Sequence, residues 1–308
     1  MKVLFVFGGN SGSMPFIGEQ ADSLKRLGVI VDDFKIIGRG FTGYLKNISK
    51  LYSVIEKNEY DLIHAHYGLS GLLSVLQRKI PVVITYHGSD INKKYVRILS
   101  LWAAKLSDYN IFVSDDLFKK ANSPRRSRVI PCGVDVDLFK PLDKNNVKSI
   151  LGFDLEKHYI LFASSFDNPV KNYALAKKAI EAFPSDRVEL VELKGWTREQ
   201  VPLLMNACEA LLMTSFTEGS PQVVKEAMAC NLPVVSTNVG DVKAKVSGLK
   251  NCYITECDAH DIVSKLNLVI LSEVLTNSRC EIVNLSLDNV ALEVQAVYKK
   301  VKGLSDSI

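Results

Sequence analysis

The sequence predicts an α/β protein of two units, each a parallel sheet with helices on both faces. Three observations carry this. At 308 residues the chain is too long for one ordinary core and suits two of about 150 residues each. Short apolar runs bounded by turn residues alternate with helix-length segments in both halves, the pattern of strands buried on both faces. Between the halves, residues 129–141 are punctuated by Pro131, Gly133 and Pro141 as an irregular connector.

In the first half the expected strands are 3–7, 29–36, 62–65, 82–85, 111–113 and 129–130. Ligands of such sheets gather at the carboxyl ends of the strands, and the notable residues fall there. Gly8-Gly9-Asn10-Ser11-Gly12 follows the first strand and invites a dinucleotide reading, with Asp32 or Asp33 as the ribose-binding acid. The fingerprint fails, because G-x-G-x-x-G counted from Gly8 needs Gly where Asn10 and Ser13 stand. A turn at Gly9 where backbone can approach a ligand remains. His64 and His66 end the third strand on one sheet face; without a third ligand the pair is a poor metal site, so packed, hydrogen-bonded imidazoles are expected. His87 stands at the next strand end, in His87-Gly88-Ser89-Asp90.

In the second half, strands are expected at 159–165, 188–193, 210–213 and 233–236, with helices near 173–183, 198–208 and 220–230. The loop after the first of these strands carries Lys171. A Lys there is placed to hold a diphosphate as a point charge, although a lone Lys is more often simply solvated. Gly195-Trp196 follows the next strand, and Trp196 can stack on a base or cap the core. Val290, Val294, Val297 and Val301 repeat at helical spacing in a last helix, 288–302.

Residues 215–241 are the most informative. Ser220 is read as an N-cap and Pro221 as the first helical residue, with Val223, Val224, Ala227 and Met228 as the apolar stripe. Glu218 and Gly219 then precede a helix start whose free N–H groups suit a phosphate. Glu226 lies about 9 Å further along the helix. Two carboxylates flanking an anion site match a ligand with hydroxyls at both ends and phosphates between them. The plain alternative is a helix-dipole carboxylate and a solvated charge. An acid and base pair of a glycoside hydrolase is a third reading, but it leaves the phosphate-type helix start without a role.

The run Glu218-Gly219-Ser220-Pro221, Glu226-Ala227-Met228-Ala229-Cys230 and Pro233-Val234-Val235 resembles the donor-site signature of GT4-type retaining glycosyltransferases. The resemblance extends to the glycine turn, to His87-Gly88-Ser89-Asp90, to Lys171 and to the Pro131 to Pro141 connector. It implies the GT-B fold: two Rossmann-like domains with parallel sheets facing a central cleft. Residues 1–141, joined by a last helix 288–308, would form the acceptor side, and 142–287 the nucleotide-sugar donor side. It also implies metal-independent, cofactor-free transfer of a hexose from a UDP- or GDP-sugar to a glycan, lipid-linked or other hydroxyl acceptor, in cell-surface polysaccharide synthesis. His87, Lys171 and Glu218 take the catalytic roles; Gly9, Gly195, Gly219, Ser220, Pro221 and Glu226 bind the donor. Loops 10–16 and 41–44 would select the acceptor. The family pattern often adds an Arg shortly before the Lys, and none stands in this loop. That departure keeps a second reading open, a nucleotide-sugar-binding protein or inactive subunit without turnover.

Composition sets the remaining expectations. Hydrophobic residues make up 47% and charged residues 23%, values of a soluble globular protein. No apolar run reaches the roughly 20 residues of a membrane span, and no signal peptide precedes the first strand. The six cysteines lack metal-ligand spacing, and Cys208 and Cys230 fall in apolar helical contexts, so buried thiols in a reducing cytoplasm are expected. The net charge of +4 is unevenly spread, with Lys93, Lys94, Arg97, Lys105, Lys119, Lys120, Arg125, Arg126 and Arg128 close together. That stretch reads as a solvated face or as peripheral contact with an anionic membrane or acidic acceptor. No nucleic-acid-binding module is present.

Overall fold

A computed structural model describes residues 1–9, 14–38, 40–272, 274 and 276–303. The chain divides into two compact units, Met1–Gly133 with Leu287–Ile308, and Val134–Ser286. The division falls after residue 133, so residues 134–141 of the connector fold with the second unit. Arg279 explains why: its guanidinium donates to the carbonyls of Val136, Phe139 and Ala229, tying the connector to the second unit.

The first unit runs β1 (Lys2–Gly8), α1 (Pro15–Arg26), β2 (Ile30–Ile36), α2 (Gly40–Leu45), α3 (Ile48–Lys57), β3 (Leu62–His66), α4 (Gly68–Val75), β4 (Val82–Tyr86), α5 (Ser89–Asn92), α6 (Lys94–Leu106), β5 (Tyr109–Phe112), α7 (Asp115–Lys120) and β6 (Ser127–Val129). The second runs α8 (Lys144–Leu151), β7 (His158–Phe162), α9 (Tyr173–Glu181), β8 (Val188–Glu192), α10 (Val201–Ala207), β9 (Ala210–Met213), α11 (Gln222–Ala229), β10 (Val234–Thr237), α12 (Val242–Val246), β11 (Tyr253–Thr255), α13 (Ala259–Leu271) and α14 (Arg279–Ile282). The chain then returns to the first unit as α15 (Leu287–Val301).

Both sheets are parallel, ordered β2-β1-β3-β4-β5-β6 and β11-β10-β9-β7-β8. Each sheet is covered on two faces, by separate apolar clusters. The strand order reverses between β1 and β3 in the first sheet and between β7 and β9 in the second. These switch points are where loops diverge and leave room for a ligand.

Local sequence sets the helix ends. Ser114, Asp143 and Asp258 accept from backbone N–H groups as N-caps of α7, α8 and α13. Gly152 ends α8 at φ +70°, a left-handed cap that glycine adopts without strain. The valine repeat of the last helix is real: Val290, Val294 and Val297 are buried against α1 residues Ile17 and Leu24. The strand expected at 159–165 ends at Phe162, and two helix starts move by two or three residues. The helix expected at 198–208 starts at Val201, with Pro202 in its first turn, which leaves Arg198 in a loop. The helix expected from 220 starts at Gln222, with Pro221 in extended conformation at φ −66°, ψ 119° as its N-cap.

Candidate functional site

In the second unit the switch point brings together the loop after β7 and the loop after β9. Lys171 lies on the first and Glu218 on the second. Their side chains form an ion pair, Nζ to Oε1 2.7 Å, and are only 18% and 14% exposed. Backbone and hydroxyl contacts fix the two loops to each other. Thr214 Oγ1 donates to the carbonyls of Lys171 (2.9 Å) and Asn172 (3.0 Å), and Phe216 N–H donates to Val170 (2.9 Å). Thr237, at the end of β10, ties in the third strand through its hydroxyl, 3.0 Å from the Ser215 carbonyl.

Gly219 is buried where Gly240 crosses it. A Cβ on Gly240 would stand 2.6 Å from the Gly219 carbonyl and 3.2 Å from Glu218 Cβ, and its φ of +56° also favours glycine. Ser220, read from sequence as the N-cap, is not one. The cap position passes to Pro221, whose ring fixes φ while its ψ stays extended, and the Ser220 Oγ is buried with no partner among the described residues. An orphaned buried hydroxyl is a polar group waiting for a ligand or water. The Ser215 Oγ and one Asp241 carboxylate oxygen are orphaned in the same way.

Glu226 is not a solvated helix-face charge. Residues Val223 to Ala229 of α11 are all buried, and Glu226 is 5% exposed with Oε1 2.8 Å from Arg198. Arg198 also lies over the Phe139 ring at 4.5 Å, so its guanidinium is held on two sides. Sequence reasoning passed over Arg198; its signal was its place just after Lys194-Gly195-Trp196 at the end of β8. Gly195 adopts φ +94° in that exposed turn. Trp196 caps the core: its indole donates to the Glu192 carbonyl (3.2 Å), and it packs edge-on to Phe153.

In the first unit, Gly9 N–H is already bonded to the Ile36 carbonyl (2.8 Å), so Gly9 can offer a ligand close approach but not its own N–H. The rest of the glycine turn, 10–12, lies outside the described residues, as does part of the expected 10–16 acceptor loop. His87 is half-buried between Tyr67 and Phe16, with Nε2 3.2 Å from His66 Nδ1 and Nδ1 3.7 Å from Cys132 Sγ. His64 and His66 are packed and hydrogen-bonded as expected. His64 bridges Tyr298 Oη (2.6 Å) and Thr85 Oγ1 (2.7 Å), and the His64, His66 and His87 rings stack in a row. Cys208 and Cys230 are buried thiols, and burial pushes Cys230 up to about 12.

Asp90 organises this end of the sheet. Buried, it accepts from the N–H groups of Gly88 (2.8 Å), Gly68 (3.2 Å) and His87 (3.3 Å). Burial outweighs these bonds and pushes its carboxyl up to about 6, while burial drives His66 down to about 3 and His64 well below the usual imidazole range. The signs oppose each other. Between about pH 4 and 6 the folded chain holds a proton on Asp90 that the unfolded chain lacks, so this group favours the fold at the acid end. Below the ordinary imidazole value of about 6.5, the unfolded chain protonates two histidines that the folded chain keeps neutral, so stability falls with pH. The two histidines outweigh the one carboxyl. The melting temperature is expected to drop from pH 7 to 4, and more steeply between pH 6 and 4 in Asp90→Asn. Equal slopes in thermal melts would show that Asp90 carries no proton there.

Among the described residues no helix is long and apolar enough to cross a membrane. Models of Glycosyltransferase Family 4 and of Glycosyl transferases group 1 match residues 11–138 and 176–271. The chain belongs to the GT4-type glycosyltransferases, and its two parallel-sheet domains are those of the GT-B fold. It is 24% identical to the Escherichia coli UDP-Gal:alpha-D-GlcNAc-diphosphoundecaprenol alpha-1,3-galactosyltransferase over 78% of this chain and 75% of that one. Sucrose-phosphate synthase of Thermosynechococcus elongatus superposes with a TM-score of 0.84 at 17% identity, covering 99% of each chain. The Anabaena protein HepE, solved in complex with UDP, superposes with 0.78 at 17% identity, covering 97% of this chain and all of that one.

Proposed function

We propose that this glycosyltransferase moves a hexose, with retention, from a nucleoside diphosphate sugar to a hydroxyl of a glycan or lipid-linked acceptor. The observation that carries the reading is the Lys171–Glu218 ion pair at the β7/β9 switch point. A bound donor would exchange this pair: its diphosphate takes the Lys171 ammonium, and Glu218 turns to the sugar hydroxyls. The exchange resolves the oddity of a carboxylate beside an anion site. Ser220, with its orphaned buried hydroxyl, and the backbone N–H groups of Gly219 and Ser220 are assigned to the phosphates, while Pro221, which has no N–H, shapes the turn that presents them. Glu226, held by Arg198, is assigned to the ribose, and Gly195 to the base. From the first unit, His87 is assigned to the sugar and Gly9 to close backbone contact with the ligand.

In the proposed step the acceptor oxygen bonds to the anomeric carbon as that carbon's bond to the diphosphate oxygen breaks. The bonding pair leaves with the diphosphate, and the acceptor proton passes to it on the same face. Lys171 meets the charge as it develops, which needs no titrating side chain. UDP is the favoured nucleotide because the similar HepE was solved with UDP and the E. coli relative is named for a UDP-sugar. That relative's diphosphoundecaprenol-linked sugar supports a lipid-linked acceptor in polysaccharide synthesis.

The absent Arg before Lys171 favours the second reading, binding without turnover. A panel of UDP- and GDP-sugars with lipid-linked and oligosaccharide acceptors separates the two. Product, or slow donor hydrolysis, is expected with a UDP-hexose; tight binding with neither would favour the non-catalytic reading. His87→Ala is expected to lower turnover by about tenfold, the worth of one polar contact, with UDP affinity unchanged. Unchanged turnover would remove His87 from the site.

A further inference from the structure

From the face that α6 turns outward, we infer that the first unit docks on the surface of an anionic lipid bilayer. The outward side of most helices is polar. In α6 it is apolar: Tyr95 is 85% exposed, Trp102 65%, Ile98 52% and Leu106 37%, all within one stripe at spacings of three and four. The inward side is made of the small residues Ser100, Ala103 and Ala104. This inversion leaves Trp and Tyr, the side chains suited to a membrane–water interface, without cover.

Cations border the stripe. Lys94 and Lys105 flank it on the helix itself, and across an open hollow of about 850 Å³ stand Arg125 and Arg126. Among the described residues none of these four has an acidic partner at ion-pair distance, whereas Lys120 and Arg128 nearby are paired with Asp116 and Glu293. Nine basic and three acidic residues lie between Lys93 and Arg128, more positive charge than the +4 of the whole chain, so the remainder is net acidic. On the other side of α6, Leu99 leads into an apolar groove with Leu45 and Leu76, both part-exposed.

Charge chooses the occupant. A second copy would set the same unpaired cations against each other across an isologous contact. Anionic headgroups neutralise them, and the bilayer's apolar edge receives Trp102, Tyr95 and Ile98. This inference does not rest on the donor chemistry, and it is tested without nucleotide.

The full chain is floated with vesicles of mixed phosphatidylglycerol and phosphatidylcholine, and with vesicles of phosphatidylcholine alone. Flotation with the anionic vesicles only, lost as salt rises, is expected. Lys105→Ala and Arg125→Ala should each weaken binding about fivefold, the worth of one cation at such a surface. Trp102→Ser should weaken it as well. All three side chains are exposed, and circular dichroism would confirm that the variants stay folded. Four outcomes would overturn the inference. They are absence of flotation, equal binding to neutral vesicles, variants that bind as the parent does, and a dimer in sedimentation that Trp102→Ser abolishes.

Discussion

Lys171→Ala is expected to lower transfer by about 10²- to 10³-fold in kcat, the usual loss when one preorganised group facing developing charge is removed. Glu218→Ala should lose transfer to a similar degree for a different reason. Without its carboxylate the sugar hydroxyls lose their acceptor, while Lys171 is left free to hold UDP. The two variants therefore part in nucleotide binding: UDP binds more weakly to Lys171→Ala and as well or better to Glu218→Ala. Both side chains are mostly buried, so each substitution is also expected to cost up to about 3 kcal/mol of stability, which thermal melts of the two variants read. Titration calorimetry with UDP beside a transfer assay reads both effects. Parent-level transfer in either variant would remove the ion pair from the catalytic machinery, and tighter UDP binding by Lys171→Ala would reverse the assigned roles.

Glu226→Ala is expected to act on the fold as well as on the donor. Its carboxylate is nearly sealed and paired with Arg198, so truncation leaves a guanidinium in a space shaped for a pair. Breaking such a pair costs about 3 kcal/mol, the lower end of the usual range because Arg198 keeps some water contact. For a unit of this size that is a fall of roughly 6–12 °C in melting temperature. Glu226→Gln keeps the shape and a hydrogen bond and should lose less. Scanning calorimetry with all three proteins decides the matter. A Glu226→Ala protein that melts with the parent would return Glu226 to the solvated charge of the plain sequence reading.

These expectations rest unequally on sequence and structure. The parallel strands were legible because they are short apolar runs between turn residues, and their ends moved by at most three residues. Lys171 and Glu218 were legible as loop residues at strand ends. Their meeting was not, because 47 positions separate them and only the order β9-β7 puts their loops side by side. Ser220 was misread because Ser-Pro is a good helix start in isolation, and propensity does not reveal that Pro221 stays extended. Arg198 was missed because a charged residue in an expected helix carries no local mark. It became a partner only when α10 began three residues later and the loop carried it to Glu226.

The sequence by itself determined the two-unit α/β class and the family, since both follow from patterns that survive without contacts: period, turn residues and a long donor-site motif. It also determined where the positive charge lies. Tertiary structure decided what each charge does. Glu226 became a buried ion-pair member because α11 is enclosed on nearly every side, and the α6 aromatics became an exposed face because the small residues opposite them pack inward. Burial is a property of what packs around an element, and the neighbours of α6 and α11 are set by sheet order and helix placement rather than by the residues beside them in the chain.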